Sequence, residues 1–75
     1  PIEFGYRAIL FISLFIPVLG EVINSAIERV VDLVTQDYHI LAKQAKDVGA
    51  TIVLLSLIVT TLIWLSVLAL AFKIV

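Results

Sequence analysis

Glu21, Asn24, Glu28 and Asp32 stand in one short string, EVINSAIERVVD, directly after an apolar run. The thirteen residues from Ala8 to Gly20 carry no charge. On a helix turning about 100° per residue, Glu28 and Asp32 each fall within roughly 20° of Glu21, and Asn24 lies about 60° away. Val22, Ile23, Ala26, Ile27, Val30 and Val31 cover the remaining directions. A carboxylate at membrane depth is costly to hold, and such groups usually face a bundle interior, where they carry ions or do chemistry. Hard cations prefer oxygen ligands, and magnesium at phosphoryl-transfer sites is shared between one or two carboxylates and substrate phosphates. The carboxylate ladder therefore reads as a magnesium-compatible site at the boundary between hydrocarbon and water.

Two membrane helices must position that ladder. Val48 to Phe72 is a run of 25 residues without a charge. That exceeds the ~20 residues needed to span the hydrocarbon. Its hydroxyls, Thr51, Ser56, Thr60, Thr61 and Ser66, can bond their own backbone or pack between helices. Trp64 reads as a packing or interfacial aromatic, and Lys73 can snorkel at the far end. The first helix is predicted over residues 6–34, with residues 8–27 in the membrane and a bend at Pro17, which lacks a backbone donor and crowds the Ser13 carbonyl. Beyond Glu28 it emerges as an amphipathic extension. Residues 35–46, TQDYHILAKQAK, form the polar connection, and the second helix covers 47–73. The chain is thus one all-α membrane domain over residues 1–75.

Composition sets the class. The chain has 75 residues, 63% of them hydrophobic, and a mean hydropathy of +1.22. A soluble domain this small could not cover so much apolar surface. A net charge of −1 offers no basic field for nucleic acid. The absence of cysteine excludes disulfides and thiolate metal sites. Gly5, Gly20 and Gly49 are isolated, so no glycine-rich phosphate loop exists. Arg29, Lys43 and Lys46 flank the connection, against Arg7 and Lys73 at the far ends, which favours a cytoplasmic connection. The chain opens PIEFGYRAIL, without an initiating Met or a signal-peptide pattern, and is expected to be a portion of something longer.

The string EVINSAIERVVD, followed by DYHILAKQAKDVGA and a long apolar helix with Trp64, resembles the prokaryotic diacylglycerol kinase family. The resemblance covers about Glu21 to Trp64, with E-x-x-N-S-A-I-E, Tyr-His and A-K-D in the family's order and spacing. It implies a small integral kinase of the bacterial inner membrane, with its site facing the cytoplasm. The activity implied is phosphorylation of diacylglycerol to phosphatidate, with ATP as co-substrate and Mg2+ as cofactor. A related branch prefers undecaprenol. The family is three-helical and homotrimeric, with sites shared between protomers.

The same resemblance assigns roles. Glu21 matches the general base that takes the proton of the lipid hydroxyl, and Glu28 a metal-binding glutamate. Asn24 matches an amide supporting the phosphate and metal region. Asp37, Tyr38 and His39 match a segment contacting the nucleotide, Lys46 the lysine on the ATP phosphates, and Asp47 a neighbouring nucleotide contact. Ala50 falls where many members carry a serine near the lipid, and Trp64 is taken as lipid-proximal. The family has a surface helix and another membrane helix before this segment, which bring a second metal-binding glutamate. Glu3 precedes the wrong helix to replace it.

Plainer readings compete. Glu21 and Asn24 can be interhelical hydrogen-bonding groups. Glu28 and Asp32 can face water as the helix leaves the membrane, the default for Asp32. Tyr38 can be an interfacial anchor, His39 a solvated loop residue, Lys46 a topology lysine and Asp47 the cap of the last helix. A rival of another class is a non-enzymatic ion-carrying hairpin. It needs a carboxylate in the middle of its second helix and a glycine-rich first helix, and this chain has neither. A small structural or regulatory subunit would not require the spacing of Glu21, Glu28, Lys46 and Asp47.

Overall fold

The computed structural model describes residues 2–73. Those residues form three helices and no strand: α1 Phe4–Ser13, α2 Phe15–Val34 and α3 Ile40–Ala71. The first helix expected over 6–34 starts instead at Phe4 and is divided at Leu14. The division is a tightened turn within one helical path. Leu14 keeps right-handed helical angles, φ −65° and ψ −19°, and its N–H donates to the Phe11 carbonyl at 3.2 Å. Pro17 is the cause, because it has no N–H for the Ser13 carbonyl and its ring crowds that group.

The second helix also differs from expectation. It begins at Ile40 rather than at residue 47, so the polar connection shrinks to residues 35–39. Leu41 to Lys46 are all good helix formers, polar or not. His39 supplies the start signal: its Nδ1 accepts the Leu41 N–H at 3.1 Å. Asp47 therefore lies inside α3 and is not its cap. At the other side of the turn, extended Thr35 ends α2, and its hydroxyl oxygen accepts the Asp37 N–H at 3.1 Å.

α2 and α3 pack as an antiparallel hairpin with a readable register. Ser13 meets Trp64, Gly20 meets Ser56, Gly49 meets Asn24 and Ile27, and Asp32 meets Lys46. The glycines allow the helices to close. A β-carbon on Gly20 would stand 2.7 Å from Ser56 Oγ, nearer than van der Waals contact permits. The hydroxyls of Ser56, Thr60 and Thr61 donate to carbonyls three or four residues back along α3, so hydrocarbon leaves none of them unpaired.

The molecule measures 53 × 19 × 10 Å, a slab two helices wide and one thick. Leu10 and Val67 are the buried apolar side chains among the described residues. Phe11, Leu54, Leu62, Leu65 and many others lie open. Such a surface is incompatible with water at this size and suits lipid. Phe4–Val34 and Ile40–Ala71 are each long and apolar enough to cross a membrane.

Candidate functional site

The hairpin's polar end carries a groove of about 400 Å³ between the end of α2, the turn and the start of α3. Asp37, Tyr38, His39, Lys43, Lys46 and Asp47 line it. All five residues matched to nucleotide contacts by sequence are thus brought together. The early start of α3 makes this possible, since it places Lys43, Lys46 and Asp47 on successive turns of one helix.

Both lysines in the groove have a defined partner. Lys46 Nζ lies 2.7 Å from Asp32 Oδ1 across the two helices. Lys43 Nζ lies 2.8 Å from Asp47 Oδ2 one turn along α3. Both pairs are about half exposed, so each contributes about 0–1 kcal/mol and can be exchanged for a ligand at low cost. His39 caps α3 through Nδ1, which leaves Nε2 to carry the ring proton toward other partners. The default reading of Asp32 as a merely solvated carboxylate is therefore incomplete, because it holds Lys46. Sequence reasoning also missed Lys43, although its spacing of four from Asp47 was visible.

The ladder on α2 is ordered from within. Asn24 Nδ2 donates to Glu28 Oε1 at 2.9 Å. Asn24 is half-buried, with its Oδ1 fully enclosed. Glu21 and Glu28 are exposed, on a flank of α2 about 80–100° from the stripe of Gly20, Ile27 and Val31. Gly20 and Ile27 on that stripe meet α3.

No group of three or more His, Cys, Asp or Glu side chains converges among the described residues. Glu28 is nonetheless a suitable partial ligand set for magnesium. The Asn24 bond fixes one carboxylate oxygen and leaves the other free, and magnesium takes few protein carboxylates when phosphates supply the rest.

The remaining two assigned residues lie elsewhere. Ala50 is exposed on α3, next to Gly49. Trp64 is half-buried, about 27 Å along α3 from Lys46. Its Nε1–H donates to Ser13 Oγ at 2.9 Å, and that hydroxyl donates to the Leu10 carbonyl at 2.7 Å. Trp64 thus ties α1 to α3 at the turn distorted by Pro17.

Comparison with known proteins shows the family of the chain. The model of the family described as prokaryotic diacylglycerol kinase matches residues 2–68, and the chain belongs to that family. It is 41% identical over 58 residues to the diacylglycerol kinase of Escherichia coli K12, covering 77% of this chain and 48% of that protein. Against the diacylglycerol kinase of Helicobacter pylori 26695 it is 45% identical over 62 residues, covering 83% of this chain and 48% of that protein. Against that of Pseudomonas aeruginosa the identity is 38% over 64 residues, covering 85% and 52% respectively. The chain spans about half the length of these curated relatives. No solved structure matches it.

Proposed function

We propose that the protein is a lipid kinase that transfers the γ-phosphoryl group of ATP to the free hydroxyl of diacylglycerol, giving phosphatidate and ADP. The observation that carries this reading is the gathering of Asp37, Tyr38, His39, Lys46 and Asp47 around one groove at the polar end of a membrane hairpin. Membership of the family, and relatives named diacylglycerol kinase in three bacteria, support the choice of acceptor.

The chemistry divides by depth. The groove takes the nucleotide, with Lys46 leaving Asp32 to neutralise phosphate charge as a mobile cation. Glu28, held by Asn24, would contribute an oxygen to magnesium. Magnesium, when bound, would supply charge neutralisation at the nucleotide phosphates. Glu21 lies two helical turns deeper, roughly 10 Å along α2 from Glu28, at the level of the lipid headgroup. It accepts the hydroxyl proton as the lipid oxygen bonds to the γ-phosphorus and the bond to the β–γ bridging oxygen breaks. ADP leaves with that electron pair. The protein's work is alignment and charge neutralisation, which is what phosphoryl transfer chiefly requires. The site faces the cytoplasm, where ATP is found, and is completed by neighbouring protomers of a homotrimer.

Incubating the intact protein in mixed micelles with γ-labelled ATP, Mg2+ and both acceptors tests the reading. Label is expected in phosphatidate. Label in undecaprenyl phosphate alone moves the assignment to the undecaprenol branch, and no lipid label overturns both.

A further inference from the structure

Gly49 lies opposite Asn24 where α3 crosses α2. A β-carbon on Gly49 would collide with Asn24 Oδ1 and stand 3.4 Å from Asn24 Cγ and 3.5 Å from Ile27 Cδ1. The Asn24 amide therefore occupies the space a side chain on residue 49 would need. Its Oδ1 is buried there without a hydrogen-bond partner, while Nδ2 donates to Glu28 Oε1 at 2.9 Å. The two ends of the amide are not interchangeable. Turned over, the amide would aim its oxygen at the Glu28 carboxylate, acceptor against acceptor, and lose the bond that Nδ2 makes there. In the observed orientation the oxygen rests over the α-carbon of Gly49, where a C–H group offers weak compensation.

We propose that Gly49 is a positioning residue for the metal–nucleotide site, acting through Asn24 on Glu28. The inference rests on the reading of Glu28 as a magnesium ligand. Gly49 has no chemistry of its own; its missing side chain seats the amide that orients the carboxylate. Gly20 makes an equally close helix contact, but with Ser56, whose hydroxyl is bonded to the Val53 carbonyl. Crowding at Gly20 therefore disturbs packing without touching the Asn24–Glu28 bond, which makes it the comparison needed.

The test uses the intact protein and the variants Gly49→Ala, Asn24→Ala, the double variant and Gly20→Ala. In metal-free protein labelled with 15N-asparagine, the Asn24 side-chain amide is expected to lose its Glu28-bonded shift in Gly49→Ala and to keep it in Gly20→Ala. Binding of Mn2+ with ATP, followed by paramagnetic resonance, is expected to weaken about tenfold in Gly49→Ala, the scale set by losing a hydrogen bond to a charged group. Asn24→Ala should weaken it equally, and the double variant no further. Should Gly49→Ala fold poorly, the double variant is expected to recover thermal stability, because Asn24→Ala makes room for the added methyl. An unchanged Asn24 amide in Gly49→Ala, or additive losses in the double variant, overturns the proposal. An amide that moves while Mn2+ affinity holds overturns it too, through the metal role of Glu28, and leaves the Gly49–Asn24–Glu28 coupling standing.

Discussion

Glu28 and Glu21 share a flank of α2 but differ in support, and their variants should fail differently. Glu28 has one oxygen tied to Asn24; Glu28→Gln keeps its size and removes the anionic oxygen. Its kcat/KM is expected to fall about 10–100-fold, with a raised Mg2+ requirement. Glu21 has no hydrogen-bond partner among the described residues, and Glu21→Gln should lower kcat about 10²–10⁴-fold while the KM for ATP stays near its original value. Steady-state kinetics at saturating lipid separates the two patterns, and near-normal turnover in Glu21→Gln would remove it as the base. Lys46→Ala should raise the KM for ATP about tenfold or more, since no other groove lysine is free of a carboxylate on its own helix. The ladder was legible in sequence because a carboxylate beside an apolar span is expensive and so demands a reason. The partnership of Asp32 with Lys46 was not, because it depends on the register of two helices, and no residue type encodes that alone. The pairing of Gly49 with Asn24 was hidden for the same reason.

At the scale of elements, hydropathy found the apolar spans and misplaced their ends. The run from Val48 to Phe72 stood out because it lacks charge, yet α3 extends back to Ile40. Its polar opening turns read as a loop when judged by hydropathy and as helix when judged by propensity and by the His39 cap. At the other end of the hairpin, Pro17 was readable as a distortion. What holds the distorted turn was not, since Ser13 and Trp64 are 51 residues apart. Trp64→Phe removes the indole donor but leaves the Ser13 hydroxyl bonded to the Leu10 carbonyl. The expected loss is therefore modest, about 0.5–1.5 kcal/mol, because hydrogen bonds between membrane helices are worth little more. Trp64→Ala also opens a cavity and should cost about 3–5 kcal/mol. Equilibrium unfolding in mixed micelles of detergent measures both. A Trp64→Phe loss as large as that of Trp64→Ala would mean that the bond, not the packing, holds α1 in place.

The whole molecule is a slab with two large unpartnered faces. Lipid can cover Phe11, Leu54 or Leu65, but it cannot satisfy Glu21 and Glu28, which are exposed on the flank of α2. Either those carboxylates meet headgroups and water along their whole length, or another helix supplies partners. The second alternative also answers a deficit in the site, because no group of three or more His, Cys, Asp or Glu side chains converges among the described residues. We therefore predict that these 75 residues, reconstituted by themselves, associate with copies of themselves and have little kinase activity beside the intact protein. Sedimentation in density-matched detergent gives the mass of the assembly, and labelled ATP with diacylglycerol gives the activity of the same sample. Charge should tune the association: Glu21→Ala, which removes a group that lipid cannot satisfy, is expected to shift the sample toward monomer. Full activity from a monodisperse monomer would overturn both expectations, since it would show that two helices hold a complete site and need no neighbour along the Glu21–Glu28 flank.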